Sequence, residues 1–336
     1  MRQLVNRALR TLQSYPLTST FQPSHNRAYQ KSLSTMSTVL KQPVKLALVQ
    51  LASGTDKAVN LANARTQVLA AASKGAKIIV LPECFNSPYG TQHFPSYAET
   101  LLPSPPTPEQ SPSFHALAAM AKEANAYLIG GSIPEADAEN TSAAAGVPNK
   151  YYNTSLVFSP SGALLDTHRK VHLFDIDIPG KITFKESEVL TAGSQTTIID
   201  FPEYGRVAVA ICYDVRFPEP AMIAARRGAF ALIYPGAFNL TTGALHWELL
   251  GRARAVDNQV FVGLCSPARD ISAGYHAWGH SMVVDPWAKV LGEAGEGQEI
   301  VVAELRPEPL EEVRRNIPVS TQRRWDVYPD VSKGSE

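Results

Sequence analysis

Only three of the 336 residues are cysteine, namely Cys84, Cys212 and Cys265, and no two of them form a CxxC pair. That spacing argues against a disulfide scaffold or a cysteine-rich zinc site and points to a reducing compartment. It also leaves a thiol redox protein without a resolving cysteine near Cys212. Net charge is absent too, with 31 Lys and Arg against 31 Asp and Glu, so nothing marks a nucleic-acid surface. No apolar run is long enough to cross a membrane. Neither GxGxxG nor a Walker A motif follows any candidate strand, which removes the usual nucleotide fingerprints. No cofactor is expected.

Acidic residues are missing altogether from residues 1–40, which carry Arg2, Arg7, Arg10, Arg27 and Lys31 among many Ser and Thr. Leu4, Val5, Ala8, Leu9 and Leu12 share one helical face. A basic, Ser-rich, acid-free amphipathic start reads as a mitochondrial transit peptide, the other reading being a disordered tail. Initiation at Met36 would then give a cytosolic form, so the expected location is the mitochondrial matrix, the cytoplasm or both. The folded domain is expected over residues 41–330, with 331–336 as a tail.

What is present is enough apolar sequence, 44% of the chain, to bury a sizeable core. KLALVQL (45–51) and KIIVLPE (77–83) read as buried strands around a helix over 60–76. Residues 84–111 read as a long loop, then come a helix over 113–126 and a strand YLIGGSI (127–133). YYNTSLVFS and ALLDTHRK pair as a hairpin across SPSG (159–162). Residues 134–150 and 172–195 read as loops. Beyond them lie VAVAICYD, a helix over 219–228, the strand 230–238, a helix over 244–258 and the strand 259–265. A hairpin about Asp285-Pro286, the strand EIVVAEL (299–305) and a helix opened by Pro307 complete the pattern. Helices alternating with strands, with hairpins mixed in, predict a layered α/β protein with mixed sheets.

The stretch VAVAICYDVRFPEP (207–220) concentrates the chemistry. It places Cys212 between a strand and a helix start, where exposure and a helix N-terminus would favour the thiolate. The other reading is a buried cysteine closing a core strand. Glu83 and Lys170 also stand at strand ends, where loops converge on such folds. A thiol, a carboxylate and an ammonium brought together could attack a carbonyl, move the proton and hold the oxyanion. Spacing alone does not bring them together. Arg216, four residues after Cys212, could hold a carboxylate through two hydrogen bonds, or pair with Asp214 or Glu219. His276 and His280 lie four apart in a glycine-containing stretch with no third ligand in view, so they read as ordinary polar histidines and no metal is expected.

LPECFNSPYG around Glu83, HRKVHLFD around Lys170 and CYDVRFPE around Cys212 resemble, in order, the three signature segments of the nitrilase superfamily, the carbon–nitrogen hydrolases. The resemblance runs from about residue 45 to about residue 328. It implies a four-layer αββα sandwich, usually a homodimer, with Glu83, Lys170 and Cys212 as the catalytic set. It also implies a second glutamate, Glu186 with Glu188 as competitor, and an oxyanion site made by Lys170 and the Tyr213 N–H. FDIDIPGKITFKES and GAFNLTTGALHWELL resemble the omega-amidase branch most. That branch hydrolyses 2-oxoglutaramate and 2-oxosuccinamate; there an arginine matching Arg216 clamps the distal carboxylate, and Phe238 and Thr242 would line the pocket. Gly251 departs from the branch, where a bulkier polar residue is more frequent. Two other readings are an amidase acting on deaminated glutathione and a non-catalytic binding protein that keeps the fold.

Overall fold

Asp56 and Asn239 show how local chemistry starts two of the helices earlier than apolar spacing suggests. In this computed structural model, which describes residues 39–137, 150–180 and 182–328, the Asp56 carboxylate accepts the Val59 N–H, so helix α1 opens at Lys57 and runs to Ser73. Ser111 caps helix α2 (Pro112–Ala124) with Pro112 in its first turn. Helix α3 (Pro218–Arg226) opens on proline. Asn239 accepts the Thr242 N–H, so helix α4 spans Leu240–Asn258 and takes in four residues expected to precede it. Helix α5 covers Pro307–Asn316.

The first sheet contains β1 (Val44–Gln50), β2 (Ile78–Val80), β3 (Tyr127–Ile129), β4 (Ile133–Ala136), β5 (Tyr151–Phe158) and β6 (Leu164–Arg169). A small hairpin of β7 (Asp175–Ile178) and β8 (Ile182–Lys185) follows. The second sheet contains β9 (Thr197–Phe201), β10 (Gly205–Val209), β11 (Ala229–Pro235), β12 (Phe261–Cys265), β13 (Met282–Val284) and β14 (Val290–Glu293). Strand β15 (Glu299–Leu305) returns to the first sheet beside β1. The orders are β15-β1-β2-β3-β5-β4, with β6 also on β5, and β14-β13-β12-β11-β10-β9. Each sheet keeps three parallel strands at its centre, β1-β2-β3 and β10-β11-β12, and antiparallel strands flank them.

Both faces of these central strands are covered, which accounts for their continuous apolar runs. Leu46, Leu48, Ile78, Val80 and Ile129 of one sheet meet Val207, Val209, Ile233 and Phe261 of the other in a shared core. Val68 and Ala71 of α1 and Leu117 and Met120 of α2 cover the outer face of the first sheet. Ala221 and Ala224 of α3 and Trp247 and Ala255 of α4 cover the outer face of the second. The result is the expected αββα sandwich. Gly251 has a packing role within it: a Cβ there would stand 2.8 Å from Leu264 Cδ1, so glycine lets α4 lie close on β12.

Several expectations need correction. YLIGGSI is not one strand, because Gly130-Gly131 breaks it into β3 and β4. Gly131 has φ +59°, and a Cβ there would come within 2.0 Å of the Pro82 carbonyl oxygen, so the break cradles the turn leading to Glu83. The 172–195 loop contains the β7–β8 hairpin, turned at Pro179-Gly180. Residues 84–111 hold a helical turn at Phe94–Tyr97 and are pinned through buried Glu99. Glu99 accepts from Lys57 Nζ (2.8 Å), Ser111 Oγ (2.6 Å) and Ser113 Oγ (2.6 Å). The proposed transit segment, its Met36 and the tail 331–336 lie outside the described residues.

Candidate active site

Three strands deliver three chemical groups to one point between the sheets. Glu83 lies three residues beyond β2, Lys170 directly follows β6, and Cys212 lies three residues beyond β10. All three are buried. Lys170 Nζ donates to Glu83 Oε1 at 3.0 Å and to Glu186 Oε1 at 2.8 Å. Glu83 Oε1 also accepts from Asn153 Nδ2 (2.8 Å), and Oε2 accepts the Ala237 N–H (2.8 Å). The Cys212 thiol stands beside the same carboxylate and near the Ala237 N–H. Glu186, in a 3₁₀ turn after β8, is held by the Phe174 N–H (2.8 Å) and the Tyr89 hydroxyl (3.1 Å). Glu188 is exposed and lies 4.0 Å from Lys185, so Glu186 is the glutamate that joins the cluster.

Burial is the main force on these groups. It raises the Glu83 carboxyl, opposed by Lys170 and reinforced by Glu186. Burial opposes charge on Lys170, but Glu186 and Glu83 outweigh it and hold the ammonium. The Cys212 thiol is pushed well up by burial and by Glu83. This corrects the expectation of an exposed, thiolate-favouring position. Cys212 opens a 3₁₀ turn (Cys212–Arg216), and α3 starts only at Pro218. Gly236 packs so tightly beneath the turn that a Cβ there would stand 3.0 Å from the Cys212 Cα. Cys212 itself has φ +49°, a strained setting for a side chain. The resting group is therefore a neutral thiol beside a base, and Tyr213 follows it with its backbone N–H in the same turn.

Asp214 is what holds that turn against the lysine strand. Its buried carboxylate accepts the Ile211 N–H (2.9 Å), the His172 N–H (2.8 Å), His172 Nδ1 (2.7 Å) and His168 Nε2 (3.3 Å). Burial opposes this charge, but the hydrogen bonds from His168 and His172 win and keep the carboxyl well below its ordinary range. His168 and His172 bracket Lys170 by two residues on each side. The alternative reading of Arg216, a pairing with Asp214 or Glu219, does not hold: Asp214 is committed to the histidines, and among the described residues no ion pair joins Arg216 to Glu219. Arg216 Nη1 instead meets His246 Nδ1 of α4 at 3.2 Å, and its buried Nε has no partner. The guanidinium lies 4.8 Å from the Phe238 ring centre and 5.4 Å from that of Tyr213. Burial lowers its proton affinity, while the nearby Tyr213 and Cys212 raise it. No carboxylate pairs with it among the described residues.

Phe238 is buried edge-on against Trp247. Thr242 is buried in the first turn of α4, where its N–H and hydroxyl both reach Asn239 Oδ1 (2.9 and 3.2 Å). His280 pairs with Glu293 (3.1 Å) and stacks on Trp278. A cavity of about 450 Å³ is lined by Glu83, Cys84, Tyr89 and Tyr275, the two tyrosine rings packing against each other with centres 4.4 Å apart. The Tyr275 hydroxyl donates to the Ala237 carbonyl, on the residue whose N–H serves Glu83. Sequence reasoning missed Asn153, Tyr89, Tyr275, Ala237 and His246. The one available signal was HRKVH, whose histidines flank Lys170 at equal spacing.

A thiol, a carboxylate and an ammonium in this contact can support nucleophilic attack on an amide carbonyl with proton transfer inside a buried site. The carbon–nitrogen hydrolase family model matches residues 45–315. The omega-amidase NIT3 of Saccharomyces cerevisiae is 52% identical, over 88% of this chain and 98% of its own length. The human omega-amidase NIT2 is 52% identical, over 84% of this chain and 96% of its own. The crystal structure of Saccharomyces cerevisiae Nit3, described as a member of branch 10 of the nitrilase superfamily, superposes with a TM-score of 0.76. It shares 49% identity and covers 85% of this chain and 98% of that one.

Proposed function

We propose that this chain, which belongs to the carbon–nitrogen hydrolase family, is an omega-amidase. It hydrolyses the terminal amide of 2-oxoglutaramate or 2-oxosuccinamate to a dicarboxylic 2-oxo acid and ammonia. The observation that carries the substrate is Arg216: a half-buried guanidinium near Cys212 with a free Nε and no carboxylate partner among the described residues. A buried charge without a counter-ion is costly, and an incoming carboxylate relieves it. Phe238 forms the floor beneath the guanidinium. His246 of α4, one turn after Thr242 on the same face, meets the guanidinium at 3.2 Å and adds to the wall on Arg216's side.

The reaction follows from the contacts. Glu83 takes the Cys212 proton and the sulfur attacks the amide carbon. Lys170 and the Tyr213 N–H hold the oxyanion, donors commonly worth about 3 kcal/mol each. Glu83 returns the proton to nitrogen, the C–N bond breaks, and ammonia leaves a thioester on Cys212. Glu83 then takes a proton from water, which attacks the thioester; the acid departs and the proton returns to sulfur. Glu186 keeps Lys170 charged and aimed throughout. A role in glutamine metabolism follows from the chemistry of these oxo-amides.

Two further parts of the reading are assembly and location. Leu245, Leu249 and Val256 are exposed along α4 with Ile223 on neighbouring α3, an apolar face suited to a second copy of this chain. Light scattering should give a homodimer. Residues 1–40 act as a mitochondrial transit peptide, with a Met36-start form in the cytoplasm; identical distributions of the two forms would refute this.

Released ammonia tests the substrate. Arg216→Met should lower kcat/KM on 2-oxoglutaramate by about a hundredfold, the loss expected for a charge-assisted pair, and change that on butyramide less than threefold. Equal losses on both amides, or a far higher kcat/KM of the unmodified protein on deaminated glutathione, would overturn the assignment.

A further inference from the structure

One position in β5 touches both Glu83 and Lys170. The Asn153 carbonyl accepts the Lys170 N–H at 2.9 Å. Its side-chain Nδ2 donates to Glu83 Oε1 at 2.8 Å, the same oxygen that Lys170 Nζ meets at 3.0 Å. Asn153 is 1% exposed, and its side-chain oxygen has no hydrogen-bond partner. An unpartnered polar oxygen inside a buried strand destabilises the fold, so packing does not account for asparagine at this point. The other Glu83 oxygen, Oε2, accepts the Ala237 N–H at 2.8 Å, and the preceding Gly236 packs directly on Cys212, so Oε2 is the oxygen on the thiol's side.

We propose that Asn153 is a positioning residue of the reaction. Its Nδ2–H fixes Glu83 Oε1 against Lys170 and thereby presents Oε2, ionised, to the Cys212 proton; this role rests on Glu83 being the proton acceptor described above. The groups that face Glu83 are Lys170 after β6, Glu186 after β8, Cys212 after β10, its neighbour Cys84, and Tyr89 and Tyr275 from the two loops lining the cavity. Only Lys170 among these is cationic. Removing the Asn153 donor leaves the ammonium and the Ala237 N–H to hold the carboxylate, and Glu83 then keeps its proton to higher pH.

The test uses Asn153→Leu, which neither donates nor accepts, and Asn153→Asp, which keeps the size and adds a like charge. The acid limb of kcat/KM against pH should move up by about one pH unit in the leucine variant, and further in the aspartate variant. KM at the pH optimum should stay within twofold, because Asn153 does not touch Arg216. The same limb is read without substrate by alkylating the folded protein with iodoacetamide across pH and following the Cys212 peptide by mass spectrometry. If the leucine variant fails to fold, the near-isosteric aspartate variant decides. Acid limbs that coincide with the unmodified protein in both assays would reduce Asn153 to packing. If the unmodified protein does not hydrolyse the oxo-amides but the alkylation limb still moves as stated, the substrate assignment falls and the role of Asn153 stands.

Discussion

Cys84 and Cys212 stand at matching places on the two sheets. Each follows a central parallel strand, β2 or β10, by a few residues. Each has a left-handed backbone, φ +52° and +49°. Each is buried, and burial together with Glu83 pushes each thiol well up. Strain, burial and nearness to Glu83 are therefore shared, and none of them distinguishes a nucleophile. The surroundings do. Cys84 packs with Phe94 and Leu190, and its N–H is taken by Ser132 Oγ at 3.0 Å. The Cys212 thiol lies on the Glu83 carboxylate, in a turn that a buried, charged Asp214 ties to the lysine strand. What makes a reactive thiol here is the proton acceptor in contact with it and the cation behind that acceptor.

The sharpest way to break the comparison is to remove each thiol. Cys212→Ala should cut amide hydrolysis by about 10⁵-fold or more, and Cys84→Ala should leave kcat within about threefold. Comparable losses from both would refute the distinction. Glu83→Gln is next, with kcat reduced about 10³-fold by loss of the proton acceptor, and with alkylation of Cys212 but not of Cys84 slowed. The pH dependence sharpens it further. Glu83 must be ionised to act, and its proton affinity is raised, so kcat/KM should fall on acidification at a pH above the ordinary carboxylate range. Cys212 alkylation should share that acid limb and Cys84 alkylation should not.

The smallest expected effect concerns what supports each turn. The Asp214 carboxyl is lowered on folding, so its contribution is full above its unfolded value near about pH 4 and is lost as pH falls toward the folded value. Asp214→Asn should therefore cost about 2 kcal/mol of unfolding free energy at pH 7, with the deficit shrinking below about pH 4. Ser132→Ala, at the Cys84 turn, should cost about 1 kcal/mol at either pH. Chemical denaturation at pH 7 and pH 3 separates the two, and a pH-independent deficit for Asp214→Asn would contradict the charged support.

How much of this was legible in the chain follows from what is local and what is not. Apolar runs and proline or glycine punctuation located most strands and helices, because a two-sheet core imposes burial on both faces of KLALVQL and VAVAI. The break in YLIGGSI was not legible, since Gly130-Gly131 is required by the approach of Pro82, some fifty residues earlier. The β7–β8 hairpin was missed because DIDI and ITFK are half-exposed and carry little apolar signal. Glu83, Lys170, Cys212 and Glu186, singled out through their motifs, meet in one cluster. The state of the thiol was misjudged, because burial by Gly236 and Trp247 is a tertiary fact. Arg216's partner, His246, lies thirty residues away, and nothing in either segment announces the other.

Strand β15 pairs with β1 along its whole length, Val44 with Leu305 through Gln50 with Glu299. In synthesis, some 250 residues must be made before β1 gains that neighbour. Until then Leu46, Leu48 and Val49 sit on a strand with an open edge, the form most inclined to pair with another chain. The final strand thus acts as a late seal on the first sheet. A chain halted before residue 299 carries every group of the catalytic cluster, yet it should collect in inclusion bodies.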